Sequence, residues 1–83
     1  LYIEGQKAYV TFHTKKKNIT ALASLRELEE QLPASRFLRI HKSYIVSIRE
    51  IESLEGNQVA IGGTQLSVGK SYRPSVEKVF GIS

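Results

Sequence analysis

One twelve-residue segment, residues 36–47 with the sequence RFLRIHKSYIVS, constrains the fold of this 83-residue chain more than any other. It contains two runs rich in apolar residues, Phe37–Ile40 and Tyr44–Val46, with the polar tripeptide His41-Lys42-Ser43 between them. This pattern predicts two neighbouring strands joined by a tight turn, which both strands would hold rigidly. Such a turn presents an imidazole, an ammonium group and a hydroxyl at fixed positions, where they could donate to phosphates and base edges.

A polar turn between two strands is also common in domains that bind nothing through it, so the segment alone does not decide the function. Side chains alternate along a strand, and Leu38 and Ile40 are therefore expected on one face. Three residues are expected on the opposite face: Phe37, Arg39 and His41.

Composition indicates one folded domain. Hydrophobic residues make up 41% of the chain and charged residues 24%, and 83 residues suffice for one domain but not two. The chain has no cysteine, which excludes disulfides and thiolate metal sites. A net charge of +4 and a pI near 9.6 favour a polyanionic partner. No apolar run approaches the roughly 18 residues of a membrane span, so we expect no membrane partner. The absence of cysteine fits a reducing compartment, and the expected location is the cytoplasm.

Periodicity predicts a mainly β domain with roughly seven short strands and two short helices. Alternation predicts strands at 1–4, 7–14, 19–22, 58–61 and 65–68, in addition to those of the 36–47 segment. Residues 48–54 are expected to pass from a helical turn into a strand, and turns are expected at Gly5-Gln6, 15–18, 55–57 and 62–63. The first helix is predicted to begin after a capping box formed by Ser24 and Glu27 and to end at Pro33. The second is predicted to follow Pro74, with an apolar stripe of Val76, Val79 and Phe80.

The segment Phe37–Val46 fits the form F-x-R-x-H-x-S-Y-[IV]-V and is followed by LSVGKSYRPSVEKVF, a late strand, a basic residue and a short helix. These features resemble the LytTR family of bacterial DNA-binding domains over Leu1–Phe80. The resemblance implies a small domain of short antiparallel strands with two short helices. It also implies sequence-specific binding of duplex DNA through loops at one edge of the sheet, with no recognition helix. Since the chain starts directly in a predicted strand, we expect it to lack the first strands of such a domain.

The resemblance places the DNA-reading loops at 5–7, 41–43 and 69–73. It assigns base contacts to four residues: Lys42, Lys70, Lys7 and Gln6. It assigns phosphate contacts or loop support to six others: Arg39, His41, Ser43, Tyr44, Tyr72 and Arg73. The basic turn Lys15–Lys17 is interpreted as a solvated turn at the opposite end of its strand, and His13 as an exposed strand residue.

The expected organisation is a single LytTR-like domain over residues 1–83, forming the C-terminal part of a longer response regulator. The resemblance implies an upstream receiver domain and binding of two copies to repeated half-sites. No pattern supports catalysis, a metal site or a cofactor. The alternative is a small β-barrel-like module that binds protein or single-stranded RNA, with Tyr9, Phe12 and Tyr44 as stacking platforms, although alternation places Phe12 opposite Tyr9.

Overall fold

The computed structural model describes residues 1–6 and 8–81, and these form eight β-strands and two α-helices. Two single 3-10 turns, Ile48–Glu50 and Lys70–Tyr72, precede β6 and α2. The helices are α1 (Leu25–Gln31) and α2 (Arg73–Val79). The strands are β1 (Tyr2–Gln6), β2 (Tyr9–His13), β3 (Asn18–Leu22), β4 (Phe37–His41), β5 (Tyr44–Ser47), β6 (Ile51–Glu55), β7 (Gln58–Ile61) and β8 (Thr64–Ser67).

The strands form two antiparallel sheets. The larger has five strands in the order β3-β2-β1-β5-β4, and the smaller has three in the order β6-β7-β8. Every described pairing is antiparallel. The predicted fold class, a mainly β domain with two short helices, is confirmed, with eight strands in place of about seven.

The five-stranded sheet is the middle layer and has a hydrophobic core on each face. On one face α1 packs over an α1-side core of Ile3, Val10, Leu25 and Ile45. On the other face the three-stranded sheet and α2 cover an α2-side core of Ile40, Val46, Val59, Ile61, Leu66, Val68 and Val76. Burial on both faces explains why the 36–47 segment is apolar at consecutive positions, and it fixes the register of β4 and β5 in the domain.

The helix α1 begins where the capping box predicts. The Ser24 hydroxyl oxygen accepts a hydrogen bond from the Glu27 backbone N–H at 3.2 Å and the hydroxyl donates to the Glu27 carboxylate at 3.1 Å. The helix ends at Gln31, two residues before Pro33. Leu25 then packs directly over Gly5, because a Cβ built on Gly5 would lie 2.7 Å from the Leu25 Cγ atom.

That contact corrects the predicted turn at Gly5-Gln6. Both residues belong to β1 and pair with Val10 and Tyr9, so neither is a turn residue. The glycine serves a close approach of strand and helix, not a turn.

Three further expectations need correction. Ala8 lies within the strand predicted at 7–14, but it is exposed and precedes β2. Val79, predicted in the apolar stripe of α2, is also exposed, whereas Val76 is fully buried. His13 was predicted to be exposed, but it is half-buried and its ring stacks on that of Tyr2 with 4.3 Å between centroids.

Within residues 1–6 and 8–81, no helix has both the length and the apolar character that a membrane crossing needs.

Candidate nucleic-acid interface

Three segments far apart in the chain meet at one end of the five-stranded sheet. We call them the rim: Gly5–Gln6, His41–Ser43 and Gly69–Arg73. The Gly5 backbone N–H donates to the Ser43 carbonyl at 2.9 Å, and the Gly69 N–H donates to the Ile40 carbonyl at 2.7 Å. The His41–Ser43 turn therefore joins the other two segments.

The third segment, Gly69–Arg73, packs closely against the His41–Ser43 turn. A Cβ on Gly69 would lie 3.6 Å from the His41 Cα atom and 3.0 Å from the Tyr72 ring, which explains a glycine at a position with an ordinary backbone conformation. Lys70 follows directly and starts the 3-10 turn. Lys70 is consequently held beside the turn that carries Lys42.

The β4–β5 turn is built on a β-bulge. Arg39 pairs with Ile45 and His41 pairs with Tyr44, so two steps along β4 match one step along β5. The His41 ring lies 5.3 Å from the Tyr44 ring, and Tyr44 packs against the α2-side core. The prediction that His41 shares a face with Arg39 is therefore wrong, because the bulge breaks the alternation.

The imidazole of His41 stabilises the β4–β5 turn through a hydrogen bond to the backbone. Its Nδ1 atom accepts a hydrogen bond from the Ser43 backbone N–H at 3.0 Å. In the neutral imidazole this leaves the proton on Nε2, which can donate outward.

The guanidinium of Arg39 also binds the backbone of the β4–β5 turn. Its Nε donates to the His41 carbonyl at 2.8 Å and its Nη2 donates to the Lys42 carbonyl at 2.7 Å. Its Nη1 pairs with the carboxylate of Glu29 on α1 at 2.9 Å.

The side chains expected to read bases are free to do so where they are described. Gln6, Lys42 and Lys70 are exposed on the rim. Lys7 lies outside the described residues. The structure thus brings the described members of the predicted base-reading set to one end of the molecule.

The remaining predicted residues lie on the rim or directly beside it but are partly covered. Ser43, Tyr44 and Tyr72 are half-buried. The guanidinium of Arg73 donates to the Gly56 carbonyl and to Asn57 Oδ1 at 2.8 Å, and pairs with Glu77 at 3.2 Å. Arg73 therefore connects α2 to the β6–β7 turn.

The basic turn Lys15–Lys17 lies at the opposite end of the sheet, as the register of β1 and β2 shows. Gln6 pairs with Tyr9 at the rim end, whereas Tyr2 pairs with His13 at the other end. Lys15 forms an exposed ion pair with Glu50 at 3.6 Å. The basic turn does not contribute to the rim.

The pKa of one tyrosine, at the start of the central strand β1, is shifted. Burial, followed by the nearby Glu4 carboxylate and the Tyr44 hydroxyl, raises the pKa of Tyr2 above its ordinary value. Within the described part of the chain, no group of three or more His, Asp or Glu side chains could hold a metal ion.

Sequence patterns missed the partners that hold the two arginines. No pattern connected Glu29 with Arg39, and Gly56 and Asn57 were interpreted only as part of a turn. Each contact joins residues far apart in the chain, so no local pattern reveals it.

Exposed lysine and amide side chains on loops at one end of a β-sheet can donate to phosphates and base edges without a recognition helix, which defines a candidate nucleic-acid-binding domain. The chain matches the family model described as the LytTr DNA-binding domain over residues 1–81. This chain belongs to the LytTR family.

A solved structure and curated relatives agree with this assignment. The LytTr DNA-binding domain of a response regulator from Bacillus cereus is 25% identical and superposes with a TM-score of 0.88, covering 98% of this chain and 80% of that chain. The sensory transduction protein LytT of Bacillus subtilis is 24% identical over 99% of this chain and 36% of its own length. The CO-responsive transcriptional regulator RcoM of Rhodospirillum rubrum is 34% identical over 64% of this chain and 22% of its own length. The matched segments thus span only about a third of LytT and about a fifth of RcoM.

These findings confirm the predicted family and the predicted class, a DNA-binding domain of transcription regulators. The family is one of DNA-binding domains and not of enzymes. The alternative, a module that binds protein or single-stranded RNA, is not favoured. Its stacking platform is also not assembled, because Phe12 packs on the α1-side core while Tyr44 packs on the opposite one.

Proposed function

We propose that the rim enters the major groove of duplex DNA and reads sequence there, with Lys42 and Lys70 as base-contacting residues. The observation that carries the proposal is the pair of backbone hydrogen bonds that joins Ser43 to Gly5 and Ile40 to Gly69. It holds two exposed lysines at one sheet end. A lysine in this position donates to guanine O6 and N7 as a point charge.

The other candidate residues fall into three roles. His41, through Nε2, and the Ser43 hydroxyl are proposed to donate to phosphates beside the groove. Arg39, Tyr44, Tyr72 and Arg73 are proposed to support the rim. Gln6 and Lys7 are proposed to add contacts at the β1 end.

We also propose that the chain is the DNA-reading part of a longer bacterial regulator acting in the cytoplasm. The relatives named LytT are about three times as long as the segment that matches, which leaves room for a receiver domain. Two copies are proposed to occupy repeated half-sites, and two successive mobility shifts on a duplex with two sites, against one shift on a duplex with one, would support this.

Binding selection from a random duplex pool, followed by affinity measurements on the selected duplex, tests the central proposal. If about five side chains neutralise phosphates, log K falls with log salt at a slope of about −4 to −5. Lys42→Ala is expected to lose discrimination at one base position, about 5- to 100-fold for a good contact.

The matched control is Lys16→Ala, which removes the same charge from the turn at the opposite end of the sheet. It is expected to leave discrimination unchanged. A slope near zero, or equal binding of duplex and single strands, would contradict the proposal, and equal losses of discrimination from both variants would contradict the role of Lys42.

A further inference from the structure

The Arg39 side chain has little surface left for a ligand. It is 13% exposed, although it lies next to the turn that carries the exposed Lys42. Three of its five N–H donors already have partners: the His41 carbonyl, the Lys42 carbonyl and the Glu29 carboxylate. The other two belong to a guanidinium that has little exposed surface through which to reach a phosphate.

The two carbonyl contacts lie on either side of one residue. The His41 carbonyl belongs to the peptide unit before Lys42, and the Lys42 carbonyl belongs to the unit after it. Arg39 therefore fixes the orientation of both peptide planes that flank Lys42. Since those planes set the direction of the Lys42 Cα–Cβ bond, the Arg39 guanidinium determines the direction in which the Lys42 side chain leaves the backbone.

Two further contacts connect Arg39 to other elements. The carboxylate of Glu29 holds the guanidinium from α1 at 2.9 Å. The Tyr72 ring centroid lies 5.6 Å from the Arg39 Cζ atom, in the geometry of a cation–π contact. Tyr72 ends the 3-10 turn that Lys70 begins, so one guanidinium touches both segments that carry the proposed base-reading lysines.

We infer that Glu29 and Arg39 are positioning residues that set base discrimination by orienting Lys42, and through Tyr72 the segment of Lys70, without touching DNA. This inference rests on the proposed function. It assigns a role in specificity to Glu29, an exposed residue of a helix that lies outside the rim. A planar guanidinium bound to three acceptors can do this, whereas the single ammonium group of lysine cannot match the same fork.

The test compares Glu29→Ala with Glu30→Ala. Both variants remove one negative charge from neighbouring exposed positions of α1, so a general electrostatic effect on DNA affinity would be equal in the two. We expect Glu29→Ala to reduce discrimination at the base position identified by Lys42→Ala about fivefold, with the salt slope unchanged. Glu30→Ala is expected to keep full discrimination.

Substitution of Arg39 separates positioning from direct phosphate contact. If Arg39 positions the turn, Arg39→Lys fails to restore the discrimination that Arg39→Gln loses, and the salt slopes of the two variants match the wild type. If Arg39 is a phosphate ligand, Arg39→Lys preserves binding, and Arg39→Gln lowers the slope by about 1 and weakens all duplexes alike. The second result would overturn the inference.

A measurement without DNA distinguishes failure of this inference from failure of the proposed function. Amide relaxation by NMR in the free chain is expected to show larger fast motion at Lys42 and Ser43 in Glu29→Ala than in Glu30→Ala or the wild type. Unchanged order at both amides, or equal effects of the two variants on discrimination, would overturn the positioning role even if the wild type binds DNA as proposed. Absence of duplex binding by the wild type, with the expected motion present, would count against the proposed function and leave the Glu29–Arg39 support of the turn standing.

Discussion

Adding one methyl group at Gly5 is expected to destabilise the domain through a clash with α1. The Cβ of an alanine would lie 2.7 Å from Leu25 Cγ and 2.9 Å from Leu25 Cδ1. Non-bonded carbon atoms prefer separations of about 3.5–4.0 Å, so the strand and the helix would have to separate by close to 1 Å. Leu25 cannot simply turn away, because it is 5% exposed and belongs to the α1-side core.

The expected change in the free energy of unfolding of Gly5→Ala follows from two opposing effects. Overpacking of a well-packed core costs about 1–3 kcal/mol of the free energy of unfolding. Replacing glycine by alanine at an ordinary backbone conformation restores about 0.4–1 kcal/mol by restricting the unfolded chain. The net loss expected for Gly5→Ala is therefore about 1–2 kcal/mol, which corresponds to a melting temperature lower by roughly 4–15 °C in a domain of this size.

A double-mutant cycle with Leu25→Ala tests the stated cause. Leu25→Ala alone is expected to cost about 2–4 kcal/mol, because it leaves a cavity under α1. In the double variant the methyl group added at position 5 occupies part of that cavity, so the combined loss should fall short of the sum by about 1–2 kcal/mol. Urea unfolding followed by circular dichroism provides the four free energies. Strict additivity, or a Gly5→Ala variant as stable as the wild type, would refute the packing argument.

Two further predictions concern stability. Arg73→Ala is expected to lower the free energy of unfolding by about 1–2 kcal/mol, because it removes charge-assisted hydrogen bonds between α2 and the β6–β7 turn. The salt slope of DNA binding is expected to stay at the wild-type value. A slope reduced by about 1 would instead assign Arg73 to a phosphate. Tyr2→Phe tests the raised pKa of Tyr2. The folded state holds the phenolic proton of Tyr2 more tightly than the unfolded state does. The stabilisation that this proton provides is therefore complete below about pH 10 and is lost as the pH rises above that value. The stability of Tyr2→Phe relative to the wild type should therefore increase from about pH 9 to about pH 11 in urea unfolding, and a constant difference would contradict the assigned shift.

Local patterns were sufficient for most of the secondary structure. The β4–turn–β5 unit, the capped start of α1 and the position of α2 after Lys70 all follow from short-range alternation, capping and proline placement. These local patterns failed where packing between residues far apart in the chain decides the conformation. Gly5 was interpreted as a turn residue, because a glycine required by a helix on top of a strand looks the same in sequence as one required by a turn.

The candidate site was predictable to the level of segments but not of contacts. The family motif indicated three segments, and the fold brings the described parts of them together. The distinction between residues that face solvent and residues that hold the turn could not be predicted. Arg39 and Arg73 have the same side chain as any phosphate-binding arginine, and only Glu29, Asn57 and the backbone carbonyls near them reveal that several of their N–H donors already have partners.

The rim is assembled from backbone that belongs to the beginning, the middle and the end of the chain. No hairpin cut from this domain would carry a working part of it, since each segment depends on a neighbour contributed from elsewhere. Loop-closure entropy makes such long-range joins late and cooperative events in folding. Binding of a cognate duplex would consequently be linked to global folding: the duplex would stabilise the entire native state and protect even strands that it never touches from unfolding.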